Sequence, residues 1–321
     1  MSGQTKKGKA FEYTCLKAIQ EELLSRSYAV LVDADSPAYM TAKSAYESLR
    51  PDELKDYDDA AKTGAKMLFP LEPEFLHGSG ALTLSLNTDA AGKSINKDVR
   101  DLLCLRSADD WEIGISCKHN HDALKHPRVT KDLDFGRDWV GYPCSGDFLS
   151  AARAIVEPLH EYRETGVNWD AVPDKWDAFY VPLLSVHLTE LIRLCAEHED
   201  VPAKLLTYFF GAKDFYKLIA NGKGKTTRLI AFNMSDTLSC PTGKIKPVAH
   251  MPKIKLPTRL IEGRFKEDTK TTIQLTFDGG WVVDMRLHNK DRAATHTSLA
   301  WDVTLAGLPH GVYQSERPWY E

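Results

Sequence analysis

The stretch that most constrains this chain is KDVRDLLCLRSADDWEIGISCKHNHDALKHPR, residues 97–128. Two apolar runs, Asp101-Leu102-Leu103-Cys104-Leu105 and Trp111 to Lys118, flank the polar, turn-prone Ser107 to Asp110 and predict a β-hairpin. If Arg106 and Trp111 close a four-residue loop, antiparallel pairing makes opposed residue numbers sum to 217. Asp101 then faces Ser116, and Val99 faces Lys118. Along the second arm Ile113, Ile115 and Cys117 alternate with Glu112, Gly114, Ser116 and Lys118, so one face is apolar and the other polar. Opposed residues share a face, which brings Asp101, Ser116 and Lys118 together. Beyond Lys118 the chain reads as a strongly polar helix.

A carboxylate and a lysine at adjacent positions on paired strands are what phosphodiester hydrolysis needs. The acid can hold a hard divalent cation that polarises the phosphate and acidifies a water. Lys118 would position that water or help deprotonate it, and would offset charge building on the transition state. The usual Asp…(Asp/Glu)-x-Lys arrangement has a second acid where Ser116 stands. Glu112 lies on the correct face, but four residues along a strand is roughly 13 Å, too far for a shared ion unless the strand bends. A half-buried hairpin with one stray lysine shows the same alternation, so spacing alone leaves the chemistry open.

The runs GKAFEYTCLKAI (8–19), KDVRDLL (97–103), WEIGISCKHNHDALKHPR (111–128), LDFGRDW (133–139) followed by PCS (143–145), and KDFYKLI (213–219) together resemble the HaeIII-type restriction endonucleases of the PD-(D/E)xK class. The resemblance spans most of the chain and is strongest over 97–145. It implies an α/β (α+β) fold with a mixed sheet flanked by helices, and Mg²⁺-dependent cleavage of double-stranded DNA at a short palindrome, GGCC in the type enzyme. It also implies a cognate DNA methyltransferase that protects the same site without stable binding. The helix predicted over Gly8 to Leu24 carries Glu12, three positions before Cys15. In PD-(D/E)xK nucleases an N-terminal helix often lends a glutamate to the catalytic hairpin, so Glu12 is the candidate for the acid that Ser116 does not supply; a solvated helix carboxylate is the other reading. Asp98 opens the same segment as Asp101 and competes with it as a metal ligand, but the pairing puts it opposite the far end of the polar helix, so Asp101 is preferred.

His119, Asn120, His121, Lys125, His126 and Arg128 follow the catalytic strand directly. Their side chains suit phosphate oxygens and base edges, which makes them the candidate DNA-binding residues. The His119 and His121 pair lacks the Cys/His spacing of a zinc site.

In the remainder, 36–68 is helical, with Pro37 and Pro51 at helix starts, and Leu82 to Leu86 is a strand beside the Asp101 arm. Phe148 to Tyr162 and Trp176 to Leu194 are core helices, and Lys204 to Ile219 is a further amphipathic stretch. Thr226 to Phe232, Thr271 to Phe277, Trp281 to Leu287 and Leu299 to Leu305 alternate as strands, with Asp278-Gly279-Gly280 a hairpin turn. These four form a predicted small antiparallel sheet behind a basic, Pro-rich stretch at 241–258. The expected division is therefore a catalytic core over 1–220 and a β-rich, DNA-contacting or dimerising region over 221–321.

A net charge of −4 argues against coating nucleic acid by bulk charge, so DNA contact has to be local; Lys and Arg do cluster between Lys213 and Lys270. Six cysteines without CxxC pairing predict free thiols, and the lack of a signal core or membrane span predicts a cytoplasmic location. A palindromic target is most simply met by a homodimer. A DNA-binding protein with a degenerate nuclease site is the second reading, because no acid stands at Ser116.

Overall fold

A computed structural model describes residues 3–87, 98–129 and 131–319. The chain runs α1 (Gly3–Ser25), β1 (Val30–Val32), α2 (Pro37–Glu47), α3 (Pro51–Leu68), α4 (Glu74–His77), β2 (Leu82–Leu86), β3 (Leu102–Arg106) and β4 (Trp111–His119). It continues through β5 (Ala123–Lys125), α5 (Phe135–Val140), α6 (Gly146–Val156), α7 (Pro158–Glu164), α8 (Val181–Glu197) and α9 (Val201–Phe210). The last third holds β6 (Phe215–Asn221), β7 (Thr226–Phe232), β8 (Leu260–Phe265), β9 (Thr272–Phe277), β10 (Val282–Asn289), β11 (Leu299–Gly307) and β12 (Gln314–Pro318).

Two units form, each from separated stretches: Met1–Asp122, Ala212–Ile254 and Gly311–Glu321 in the first, Ala123–Gly211 and Lys255–His310 in the second. The division expected at 220 does not fall between them, because residue 220 lies inside β6. The first unit is a mixed α/β layer structure with a seven-stranded sheet in the order β1-β2-β3-β4-β6-β7-β12. β1 and β2 pair parallel, as do β4 and β6; the other neighbours are antiparallel. α1 presents Phe11, Cys15, Leu16, Ile19 and Leu23 on one stripe, the spacing that a helix needs to bury a single face. They join Leu84, Leu102, Cys104, Ile113, Ile115 and Cys117 in one core. α2 and α3 start where local chemistry directs. Pro37 and Pro51 occupy first-turn positions that need no N–H donor, and the Ser36 hydroxyl accepts from Tyr39 N at 3.3 Å.

The second unit has an antiparallel sheet, β5-β11-β10-β9-β8. Its β9–β10 turn is Asp278-Gly279-Gly280, with φ of +71° and +91° at the two glycines, a backbone that side chains rarely adopt. α8 buries Leu183, Leu184, Leu191 and Leu194. Trp176–Glu197 is apolar and long enough to cross a membrane by composition alone, and 44% of that window is buried inside the protein.

Three local expectations need correcting. No helix follows Lys118: β4 ends at His119, Asn120 turns the chain with φ of +59°, and β5 pairs Ala123 and Lys125 with Thr304 and Val303 of β11. That partner strand is remote in sequence, so local polarity gives no hint of it. β7 is not part of the C-terminal sheet; it pairs with β6 and β12 in the first unit. The stretch from Lys204 to Ile219 is two elements, because α9 ends at Gly211 (φ +86°) and β6 begins at Phe215.

Candidate active site

The β3–β4 hairpin has the pairing expected from its loop: Leu102 faces Ile115, Leu105 faces Glu112, and Arg106 faces Trp111. Asp101 stands just ahead of β3, its N–H donating to Ile115 O at 2.9 Å. Its Oδ2 accepts three hydrogen bonds, from Ser116 Oγ at 3.2 Å, Cys117 N at 2.7 Å and Lys118 Nζ at 3.2 Å. The structure therefore brings Asp101, Ser116 and Lys118 together. The acid and lysine side chains are only 18% and 16% exposed, so their attraction is little screened. Burial pulls the Lys118 ammonium toward deprotonation, but the charge and hydrogen bond of Asp101 and the charge of Glu12 hold it above its ordinary value. Lys118 is thus kept as a cation, suited to offsetting negative charge.

Glu12 is buried on α1, and Lys9 Nζ lies 2.9 Å from its Oε2. Its charge acts on Lys118 and also contributes to raising the Cys117 thiol. The N-terminal helix thus carries a second carboxylate within electrostatic reach of the pair. Ser116 bonds to Asp101 and is no substitute for that acid.

Asp98 and Glu112 are gathered by another residue. Arg100 donates from Nε to both oxygens of Asp98 at 2.8 and 3.0 Å and from Nη2 at 2.6 Å, while its Nη1 donates to Glu112 Oε1 at 2.6 Å. Lys213 adds a bond to Glu112 at 3.2 Å. Burial opposes ionisation of both acids, but the Arg100 bonds and charge prevail and hold both below the ordinary carboxylate range. Arg100 lies across Gly114, where a Cβ would sit 1.9 Å from Arg100 Cδ, so the strand needs glycine at that point. Among the described residues no hydrogen bond or ion pair joins Asp98 or Glu112 to Asp101 or Lys118.

The polar run after β4 is divided. His119 packs its ring on Tyr57, with centroids 4.2 Å apart, and beside Phe11, and its Nδ1 lies 3.2 Å from Tyr57 Oη. Burial, with the charges of Lys7 and His121, pushes its pKa down to about 4. Asn120 Oδ1 accepts from Gly222 N at 2.7 Å and ties the end of β4 to the turn after β6. His121 is partly buried in the same turn. Lys125, His126 and Arg128 belong to the second unit. There Lys125 donates to Tyr208 O at 2.7 Å, His126 lies 3.2 Å from Asp302, and Arg128 bonds Asp291 at 2.9 Å.

In the other quoted blocks the acids are tied up in local hydrogen bonds. Asp134 accepts from Arg137 N and Cys144 N, and Glu190 accepts from Ser145 N and Oγ. Asp214 accepts from the backbone of Met234, Ser235 and Thr237. The basic run between Lys213 and Lys270 is split between the units, and several of its members are paired: Lys225 with Asp56, Lys266 with Asp284 and Lys270 with Asp177.

Three charged residues to which the sequence assigned no individual role come together: Asp122, Lys217 and Arg228, the last a member of the basic cluster between Lys213 and Lys270. Lys217 is only 2% exposed and donates to Asp122 O at 2.7 Å and to its Oδ1; Arg228 donates to Asp122 Oδ2. The available signal was a lysine inside the apolar run Phe215-Tyr216-Lys217-Leu218-Ile219.

Among the described residues no three His, Cys, Asp or Glu side chains form a ready metal cage. The three bonds to the Asp101 side chain all run to Oδ2, which leaves Oδ1 for a cation, and Glu12 is a further acid whose charge acts on Lys118. One or two carboxylates completed by water and substrate oxygens fit Mg²⁺, which seldom takes an all-protein cage.

The acid–lysine pair on this hairpin suits phosphodiester chemistry, and kinship with known proteins places the chain among the site-specific nucleases. More narrowly, the chain belongs to the HaeIII restriction endonuclease family, whose sequence profile matches residues 8–309. It is 32% identical to the type II restriction enzyme HaeIII of Haemophilus aegyptius over 315 residues, 98% of each chain. No solved structure matches it.

Proposed function

We propose that this protein is a Mg²⁺-dependent type II deoxyribonuclease with a PD-(D/E)xK-type core, which cuts both strands of a short DNA palindrome. The relation to HaeIII points to GGCC as the target. The observation that carries the chemistry is the convergence on Asp101 Oδ2 of Ser116, the Cys117 N–H and the Lys118 ammonium. Asp101 and Glu12 would hold the metal, which when bound would polarise the scissile phosphate and acidify a water. Lys118, held as a cation, would neutralise charge gathering on the phosphate oxygens. The Cys117 N–H and Ser116 hydroxyl hold the Asp101 carboxylate at a set angle, so its ligating oxygen needs little reorganisation. Asn120, His121, Lys125, His126 and Arg128 are the proposed DNA contacts, with His119 bracing the end of β4 against Tyr57.

The protein would act in the cytoplasm as a homodimer matching its two-fold target, and a methyltransferase modifying that sequence would protect the host. One mapped plasmid, digested with and without Mg²⁺ and with its ends sequenced, tests the proposal. Cleavage at GGCC only with the metal is expected. Uncut plasmid under both conditions would refute it.

A further inference from the structure

β4 and β6 run parallel, with Ser116 beside Lys217 and Lys118 beside Ile219; β7 then sets Arg228 beside Ile219. Paired neighbours share a sheet face, so Lys217 and Arg228 open on the face that carries Asp101 and Lys118. Two cations from two strands grip both oxygens of Asp122, which sits just past the end of β4. Asp122 is 33% exposed and Arg228 36% exposed, so solvent reaches the cluster. Packing does not require this charge: burying an ammonium is unfavourable until its partner repays the lost hydration, and an apolar side chain would fill position 217 without that cost. A carboxylate held on both oxygens by an ammonium and a guanidinium occupies the place of an anion with two terminal oxygens, which is what a DNA phosphodiester presents.

We propose that Lys217 and Arg228 form a phosphate-binding subsite for the DNA backbone beside the reacting phosphodiester, and that Asp122 fills it in the free protein as an internal anion that a phosphate displaces. Burial draws Lys217 down to about 8 against the opposing pull of Asp122, with Lys118 and Arg228 adding to the fall, so it is still mostly charged at neutral pH and lies within the field of Lys118. Phosphate would therefore lie between two cationic arms, one at the reacting group and one next to it. The subsite rests on the nuclease reading only for the identity of its anion.

The test is binding of a duplex oligonucleotide carrying GGCC, in EDTA and over a range of salt. Arg228→Gln should weaken binding and lower the slope of log affinity against log salt by about one. Asp122→Asn should tighten binding by about three- to tenfold, because the competing anion is gone. That gain should vanish in the double variant, since without Arg228 the internal anion no longer blocks a subsite. Asp122→Asn should also show a larger rise in Tm on adding the duplex than the parent protein.

Unchanged or weaker binding by Asp122→Asn would overturn the proposal. So would a gain that persists beside Arg228→Gln, the mark of an acid that merely repels DNA. Should Asp122→Asn not fold, Arg228→Gln decides alone, and an unchanged salt slope overturns the subsite. None of these arms uses metal or cleavage, so a failure of the nuclease reading would appear separately in the plasmid digest.

Discussion

Asp101 Oδ2 lies 3.2 Å from Lys118 Nζ although the two residues are 17 positions apart. The hairpin register pairs Leu102 with Ile115 and so carries Asp101, one residue ahead of β3, to the side chains of Ser116 and Lys118, which share a face of β4. The contact explains both the protonation of the lysine and the orientation of the acid. It also separates two kinds of failure, since loss of Asp101 removes a candidate metal ligand whereas loss of Lys118 removes a charge.

Asp101→Ala should lose cleavage by about three orders of magnitude or more while keeping binding to a GGCC duplex, because metal stabilisation of the transition state is worth several kcal/mol and the remaining phosphate contacts persist. Digestion rates and duplex titrations on the same preparation check this. Near-parent cleavage would remove Asp101 from the site.

Glu12→Gln should lower turnover at least about tenfold more than Glu112→Gln. The field of Glu12 reaches Lys118, whereas Glu112 is already committed to Arg100 and Lys213. The Glu112 variant should register in thermal unfolding instead, since Arg100 loses one of its two acids. A dead Glu112→Gln enzyme of normal stability would reverse the assignment of the two acids.

The hairpin register and the Asp101–Lys118 contact were legible in the sequence because a short loop fixes the pairing and alternation fixes the face. The strand identity of Ala123 to Lys125 was hidden, since it depends on pairing with Val303 and Thr304. Lys217 was hidden for the same reason: a parallel register carries it next to β4, and its partner Asp122 is 95 positions away in sequence. Asp98 and Asp101 looked alike as candidate ligands because nothing local shows Arg100 folding back over Gly114 to hold Asp98 and Glu112. Polar residues after Lys118 read as one functional run, yet the fold packs His119, the last residue of β4, against Tyr57 and Phe11 and puts Asn120 in a turn.

Lys118→Ala should lower the single-turnover rate at saturating enzyme by about 10²-fold or more, the scale of losing one preorganised charge at a transition state, with duplex affinity nearly unchanged. Saturation hides an affinity defect and leaves a chemical one visible. Full recovery of rate at saturation would show that Lys118 binds DNA without taking part in the reaction.

Glu72 allows a pH test of the core that is independent of catalysis. Its carboxyl is fully buried; Oε1 accepts from Tyr216 Oη at 2.7 Å and from Ser239 N at 2.7 Å. Burial, only partly offset by those two bonds and reinforced by the charge of Glu74, pushes its pKa up from 4.5 to about 7. The folded state therefore favours the protonated acid. Its contribution is complete below pH 4.5, where the unfolded carboxyl is also protonated, and declines as pH rises toward 7, above which folding carries a cost of about 3 kcal/mol. Glu72→Gln removes that titration while keeping an oxygen for Tyr216 and Ser239, at the expense of an amide nitrogen placed where a carboxylate oxygen stood. The amide adds an offset that does not vary with pH over this range. Urea unfolding of parent and variant at pH 5 and pH 8 should therefore show the variant gaining on the parent by about 2–3 kcal/mol between the two pH values, whatever the offset. A stability difference that stays flat between pH 5 and 8 would mean that Glu72 is ionised in the folded protein at both.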